Sequence, residues 1–177
     1  MKKLTAAIIL AIGLSACQSY TFGRYTSSVD NVIAIRKLSP NTLNVAEFSA
    51  LVPNDKEILC VGRIYIQTQD GEEFSKFIQK SLVSELKMAG VYSATAKTTI
   101  SGVLEHVDAS YNRSQWELKL TLKSSNGKTA TYYNEYKYPQ GYFDSACMLP
   151  AQAFVPAVQD LINKIVTSDS FAELAGH

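Results

Sequence analysis

Three cysteines, two histidines and a scatter of serines are the residues of this 177-residue chain whose chemistry could go beyond packing. His106-Val107-Asp108 sets a base and a carboxylate two residues apart, hence on one strand face, with Ser101, Ser110 and Ser114 near in sequence. A hydrolytic triad needs its serine on a sharp elbow beside an oxyanion hole, and the sequence contains no Gly-x-Ser-x-Gly. His106 therefore reads as a rim histidine, and no catalytic residue is assigned. Asp70-Gly71-Glu72-Glu73 lacks the alternating oxygen ligands of a calcium loop and reads as a helix cap. With only His106 and His177 beside the cysteines, and no Cys-x-x-Cys spacing, neither a metal nor a cofactor is expected. The thiols carry more information.

Cys17 closes a segment of distinctive make-up. Lys2 and Lys3 precede an apolar stretch from Leu4 to Ala16, broken only by Thr5, Gly13 and Ser15. A basic start, a short apolar core and a small-residue exit are the parts of a secretory signal peptide. The stretch falls short of the about 20 residues that span a bilayer. Leu14-Ser15-Ala16-Cys17 resembles the lipobox of bacterial lipoproteins. That resemblance implies cleavage before Cys17, a diacylglyceryl group on its thiol and, often, an acyl chain on its amine. Several chains on one residue anchor stably where a single chain does not. In enterobacterial lipoproteins an Asp after the cysteine retains the protein in the inner membrane. Gln18 at that position implies the outer membrane, on its periplasmic face.

Composition fits such an address. The chain is 46% hydrophobic and 19% charged, with 17 basic and 16 acidic residues. That balance argues against nucleic-acid binding by counterion release. Loss of residues 1–16 removes Lys2 and Lys3 and no acid, so the remainder is close to neutral and offers no general attraction to anionic lipid. Cys60 and Cys147 form an even pair for an oxidising compartment and are expected to be disulfide-bonded.

The elements that would position these groups follow from periodicity. Residues 1–16 read as the signal, 17–30 as a lipidated N-terminus and polar tether, and 31–177 as one α+β domain. Asn31 to Arg36 alternates weakly and reads as a first strand or a pairing segment. Residues 38–56, with Pro40 and Pro53, read as irregular with a helical turn at Val45 to Leu51. Ile58 to Ile66 is a continuous β-rich run and reads as a buried central strand holding Cys60. Phe74, Phe77, Ile78, Leu82, Leu86 and Ala89 make one helical stripe, which Gly90 ends. Thr98 to Val107 and Gln115 to Lys123 read as strands, the second alternating cleanly from Trp116 to Leu122. Asn126-Gly127 signals a type I′ hairpin turn into Thr129 to Tyr138. A last helix runs from about Pro150 or Phe154 to Val166. The expected fold is an α+β two-layer sandwich, in order β–α–β–β–β–α, with a mixed sheet and its helices on one face.

Glu85-Leu86-x-x-Ala89-Gly90-x-Tyr92, Ile100-Ser101-Gly102, the Trp116 strand, Ser125-Asn126-Gly127 and Ala146-Cys147 together resemble a group of uncharacterised proteobacterial outer-membrane lipoproteins. That resemblance covers most of the chain from Ile58 and implies no particular activity. The element order is also similar to auxiliary lipoproteins of ABC-type lipid transporters and to the N-terminal domain of TolB-like proteins. It implies an accessory role, by topology alone. Tyr132, Tyr136 and Tyr138 share one strand face, either as core filler or as an adhesive surface for an envelope protein. The expectation is a lipid-anchored, non-enzymatic binding or accessory module of an envelope complex. A lipid-handling accessory is the alternative; it needs Phe74, Phe77 and Ile78 partly exposed in a groove. An envelope hydrolase is a third reading and needs His106 in a polar cleft.

Overall fold

The computed structural model describes residues 19–38, 42–142 and 145–176. In chain order the elements are β1 (Ser19–Thr21), α1 (Val29–Leu38), β2 (Leu43–Ala50), β3 (Glu57–Val61), β4 (Ile64–Gln67), α2 (Phe74–Ala89), β5 (Thr98–Ser110), β6 (Gln115–Ser124), β7 (Thr129–Lys137), α3 (Met148–Val166) and α4 (Asp169–Ala175). The fold is α+β, as expected. Its main sheet is mixed, in order β2-β5-β6-β7, with β2 and β5 parallel and the other pairs antiparallel. A second sheet, in order β1-β4-β3, was not anticipated.

Alternation along β6 sets the core. Trp116, Leu118, Leu120 and Leu122 are fully buried, against α2 and α3 residues such as Leu82, Leu86, Phe154, Val158 and Leu161. Phe48 on β2 lies opposite Gly102 on β5, and a Cβ at Gly102 would stand 2.9 Å from the Phe48 ring. The glycine of the Ile-x-Gly segment is thus the platform on which that ring lies.

Helix α2 begins without the cap expected from Asp70. Glu73 holds the N-cap position and makes no side-chain cap, and the Phe74 N–H instead donates to the Asp55 carbonyl at 2.9 Å. Its end is as read. Gly90, at φ 81°, donates to Lys87 O while Val91 donates to Leu86 O, closing a Schellman motif. Tyr92 folds back under the Lys87 ammonium, 5.1 Å from the ring centroid. Helix α3 starts earlier than expected, and Pro156 sits within it without ending it. Ser168 caps α4 by accepting from the Phe171 N–H.

Four expectations are corrected. Asn31 to Arg36 lies in α1, packed on α2 and α3, not in a strand. Residues 43–50 form edge strand β2 rather than a helical turn. The run from Ile58 to Ile66 is a hairpin, because Gly62 takes φ 62° at the first of two loop residues, as a type II′ turn requires. The parallel partner of β5 is therefore β2. At the later hairpin only Gly127 has positive φ, and Gly127 N–H donates to Ser124 O, so the turn is not type I′. Asn126 is used elsewhere: its amide donates to Glu173 O and Leu174 O, pinning the turn to α4.

The helix–sheet seam is closed at its centre. Truncation of Leu82, which is 1% exposed, to alanine costs about 2–5 kcal/mol in chemical denaturation. A loss below about 1 kcal/mol would mean that this stripe is not core.

Candidate functional site

The N-terminal segment departs furthest from expectation. The composition of residues 17–30 predicts a lipidated N-terminus and tether; Cys17 and Gln18 lie outside the described residues. From Ser19 on, however, the chain belongs to the domain. β1 pairs in parallel with β4, in the register Ser19 to Tyr65, Tyr20 to Ile66 and Thr21 to Gln67. Phe22 is 1% exposed and enters an aromatic cluster, 4.2 Å from Phe154, 5.1 Å from Phe77 and 5.8 Å from Phe74, between ring centroids. Phe154 in turn lies 4.7 Å from Trp116, joining the small sheet to the main one.

A buried carboxylate completes the attachment. Glu85 lies on the buried stripe of α2 and is 0% exposed. Its Oε1 accepts from Tyr25 Oη at 2.5 Å, the Ser28 N–H at 2.8 Å and Asn31 Nδ2 at 3.3 Å. Burial, and then Glu85 itself, raises the Tyr25 hydroxyl far above its ordinary pKa, so it stays a donor. Asn31 also donates to Gln159 O and accepts from Asn163 Nδ2, while Gln159 Nε2 donates to Thr26 O. The segment is thereby fastened to α2 and α3 alike.

Cys60 and Cys147 are disulfide-bonded, with Cα atoms 5.9 Å apart. The bond joins β3 to the entry of α3, as expected, but β3 is an edge strand of the small sheet and not a central strand. Trp116 Nε1 donates to Pro150 O at 2.8 Å, so β6 holds the same helix entry.

The remaining candidates are occupied by structural tasks. A bulge after Leu104 places His106 opposite Lys119 on the outer sheet face, not on the face of Ile100 and Leu104. There its Nε2 lies 4.0 Å from Glu117 Oε2. Burial acts to raise the Glu117 pKa, yet Gln115 and Tyr133 hydrogen bonds with the Arg113 and His106 charges bring it below the ordinary value. Glu117 is also paired with Arg113. The tyrosine surface is corrected too: Tyr132 and Tyr138 are buried, and Tyr136 packs against the core. Strand alternation turns those three inward together and leaves Tyr133 outside, hydrogen-bonded to Glu117 and Glu135. Phe74, Phe77 and Ile78 are buried, so the seam presents no apolar groove where the lipid-handling alternative needs one.

One acid stands apart. Asp55, 8% exposed, borders a shallow depression of about 420 Å³ lined also by Glu47, Glu73 and Lys76. Neither of its carboxylate oxygens has a hydrogen-bond partner, although the Asp55 and Ser75 amides lie close enough to favour the anion. Burial first, then Glu73, pushes its pKa up to about 6. The charge is thus a cost to the folded state above that pH, relieved as the carboxyl takes up a proton below it. The backbone carbonyl of the same residue caps α2. Among the described residues no group of three His, Cys, Asp or Glu side chains is placed to hold a metal.

No protein-family model matches the chain, and no curated protein matches it. Among solved structures it is similar to the crystal structure of protein XCC0632 from Xanthomonas campestris, of family DUF330. The TM-score is 0.57 at 15% identity, over 88% of this chain and 96% of that one. At that identity the likeness shows the fold alone.

The disulfide closes a separation of 87 residues, which in the chain-entropy account restricts the unfolded state by about 4–5 kcal/mol. Reductant is expected to lower the melting temperature clearly, and Cys60→Ser to reproduce that fall without reductant. An unchanged melting curve would mean that the bond adds nothing.

Proposed function

We propose that the chain is a lipoprotein anchored through Cys17 at the periplasmic face of the outer membrane, and that its α+β domain is a non-enzymatic binding or accessory module of an envelope complex. The observation that carries this reading is the spacing of anchor and fold. The first strand begins at Ser19, two residues after the lipobox cysteine, so acyl chains on Cys17 would hold the domain itself at the bilayer surface. Among the described residues no helix is long and apolar enough to cross a membrane. The groups that could have done chemistry have structural partners, which supports a binding role: His106 faces Glu117, Tyr132, Tyr136 and Tyr138 pack into the core, and Cys60 is bonded to Cys147. The partner is an envelope protein, reached from a fixed point on the membrane.

Cys17→Ser is the direct test. In cells fed a fatty-acid analogue, the wild-type chain takes up the label and fractionates with the outer membrane. The variant accumulates as an unlabelled precursor that keeps residues 1–16. Labelling of the variant, or a wild-type chain released unlabelled into the periplasm, would contradict the anchor.

A further inference from the structure

We propose that the tip of the β3–β4 hairpin is a second membrane contact, lying in the lipid headgroup layer beside the acylated cysteine. This inference rests on the lipoprotein reading and adds an orientation to it.

Register and reach carry it. β1 runs parallel to β4 and starts at the hairpin-turn end, with Ser19 beside Tyr65 and Tyr65 beside Leu59. Neighbouring strands lie about 4.8 Å apart, so Leu59 is about 10 Å across the sheet from Ser19. Two residues extend at most about 7 Å, which bounds the distance from Cys17 to Ser19. The headgroup region on each side of a bilayer is about 5–8 Å thick. A cysteine whose acyl chains enter the hydrocarbon therefore holds Ser19 within or close to the headgroup layer. The end of the small sheet that contains Ser19 is then the part of the sheet nearest the headgroups, and that end is the hairpin tip.

The tip has the surface this position requires. Leu59 is 54% and Val61 39% exposed on edge strand β3, either side of a register irregularity that leaves both side chains open to solvent. Half-buried Tyr65 flanks Leu59, and exposed Arg63 occupies the turn, suited to a phosphate headgroup. Exposed apolar side chains with a tyrosine and an arginine form a surface that partitions into the interface. The opposite end of the same sheet is polar, with Glu57 paired to Gln67 and Gln67 to Thr21. That end lies about 7 Å from Leu59 and about 13 Å from Val61 along the strand, on the side away from the turn.

The test uses the full chain, produced in cells and purified with its processed N-terminus. It is reconstituted into phosphatidylethanolamine–phosphatidylglycerol vesicles that carry a nitroxide on a fraction of headgroups. Leu59→Trp and Val61→Trp place a fluorophore at the tip, against the low background of buried Trp116. Val52→Trp places one on an exposed apolar position in the loop that leads into the Glu57 end of β3. Mass spectrometry of the N-terminal peptide and flotation with the vesicles are read on the same samples. The expected result is acylated, floating protein in which both tip tryptophans are quenched several-fold more than the Val52 one. Equal quenching at the three positions in acylated, floating protein would overturn the orientation and leave the anchor standing. Protein that is neither acylated nor floating would overturn the anchor, and this inference with it.

Discussion

A carboxyl group with no access to water must find its hydrogen-bond donors inside the protein, and Glu85 Oε1 finds its three in Tyr25, Ser28 and Asn31, while Oε2 is buried without a partner. Burying such a polar group without donors is costly, so the N-terminal segment stabilises the packing of α2 on the sheet by supplying them. Seating that segment also places Phe22 at the centre of the aromatic cluster and β1 on the edge of β4. A two-stranded hairpin alone is marginal in water. The third strand and the Cys60–Cys147 bond turn β3–β4 into a fixed part of the fold. One buried acid thus ties together both sheets and the point at which the chain enters the domain.

Elements with strong periodicity were legible from the residues alone. The α2 stripe, its Gly90 end, the β6 alternation and the disulfide all needed only local spacing or compartment chemistry. The N-terminal segment was not legible, because Tyr20, Phe22 and Tyr25 sit among polar residues whose partners are distant in sequence. A signal did exist: Glu85 falls on the apolar stripe of α2, one residue before Leu86, and a charge there demands a partner. Gly62 was the other available signal. Within a run of β-formers it marks a turn, and reading through it merged two short edge strands into one central strand. His106 shows a different limit, since the bulge that turns it outward leaves no trace in the alternation on either side.

The same tertiary contacts account for what the chemistry-bearing residues do. Tyr132 bonds the hydroxyls of Ser168 and Ser170 where α3 meets α4, and Asn134 donates to Ala157 O. Glu117 gathers Arg113, Gln115 and Tyr133 on the outer face. In the proposed reading the domain acts by where it is held and by what it presents, not by a reaction. The missing tether matters most to that reading, because a flexible linker would let the domain sample many orientations. A strand that begins two residues after the anchor leaves it few.

Amide hydrogen exchange along residues 19–32 of the chain from Cys17 onward measures this directly. The account predicts that the amides of Phe22, Ser28 and Val32, which donate to Gln67 O, Glu85 Oε1 and Ser28 O, are protected like those of β4 and α2. They should open with the domain and not ahead of it. Exchange of residues 19–32 at the rate of an unstructured chain, while β5 and β6 stay protected, would contradict the account, since the segment would then be a tether after all.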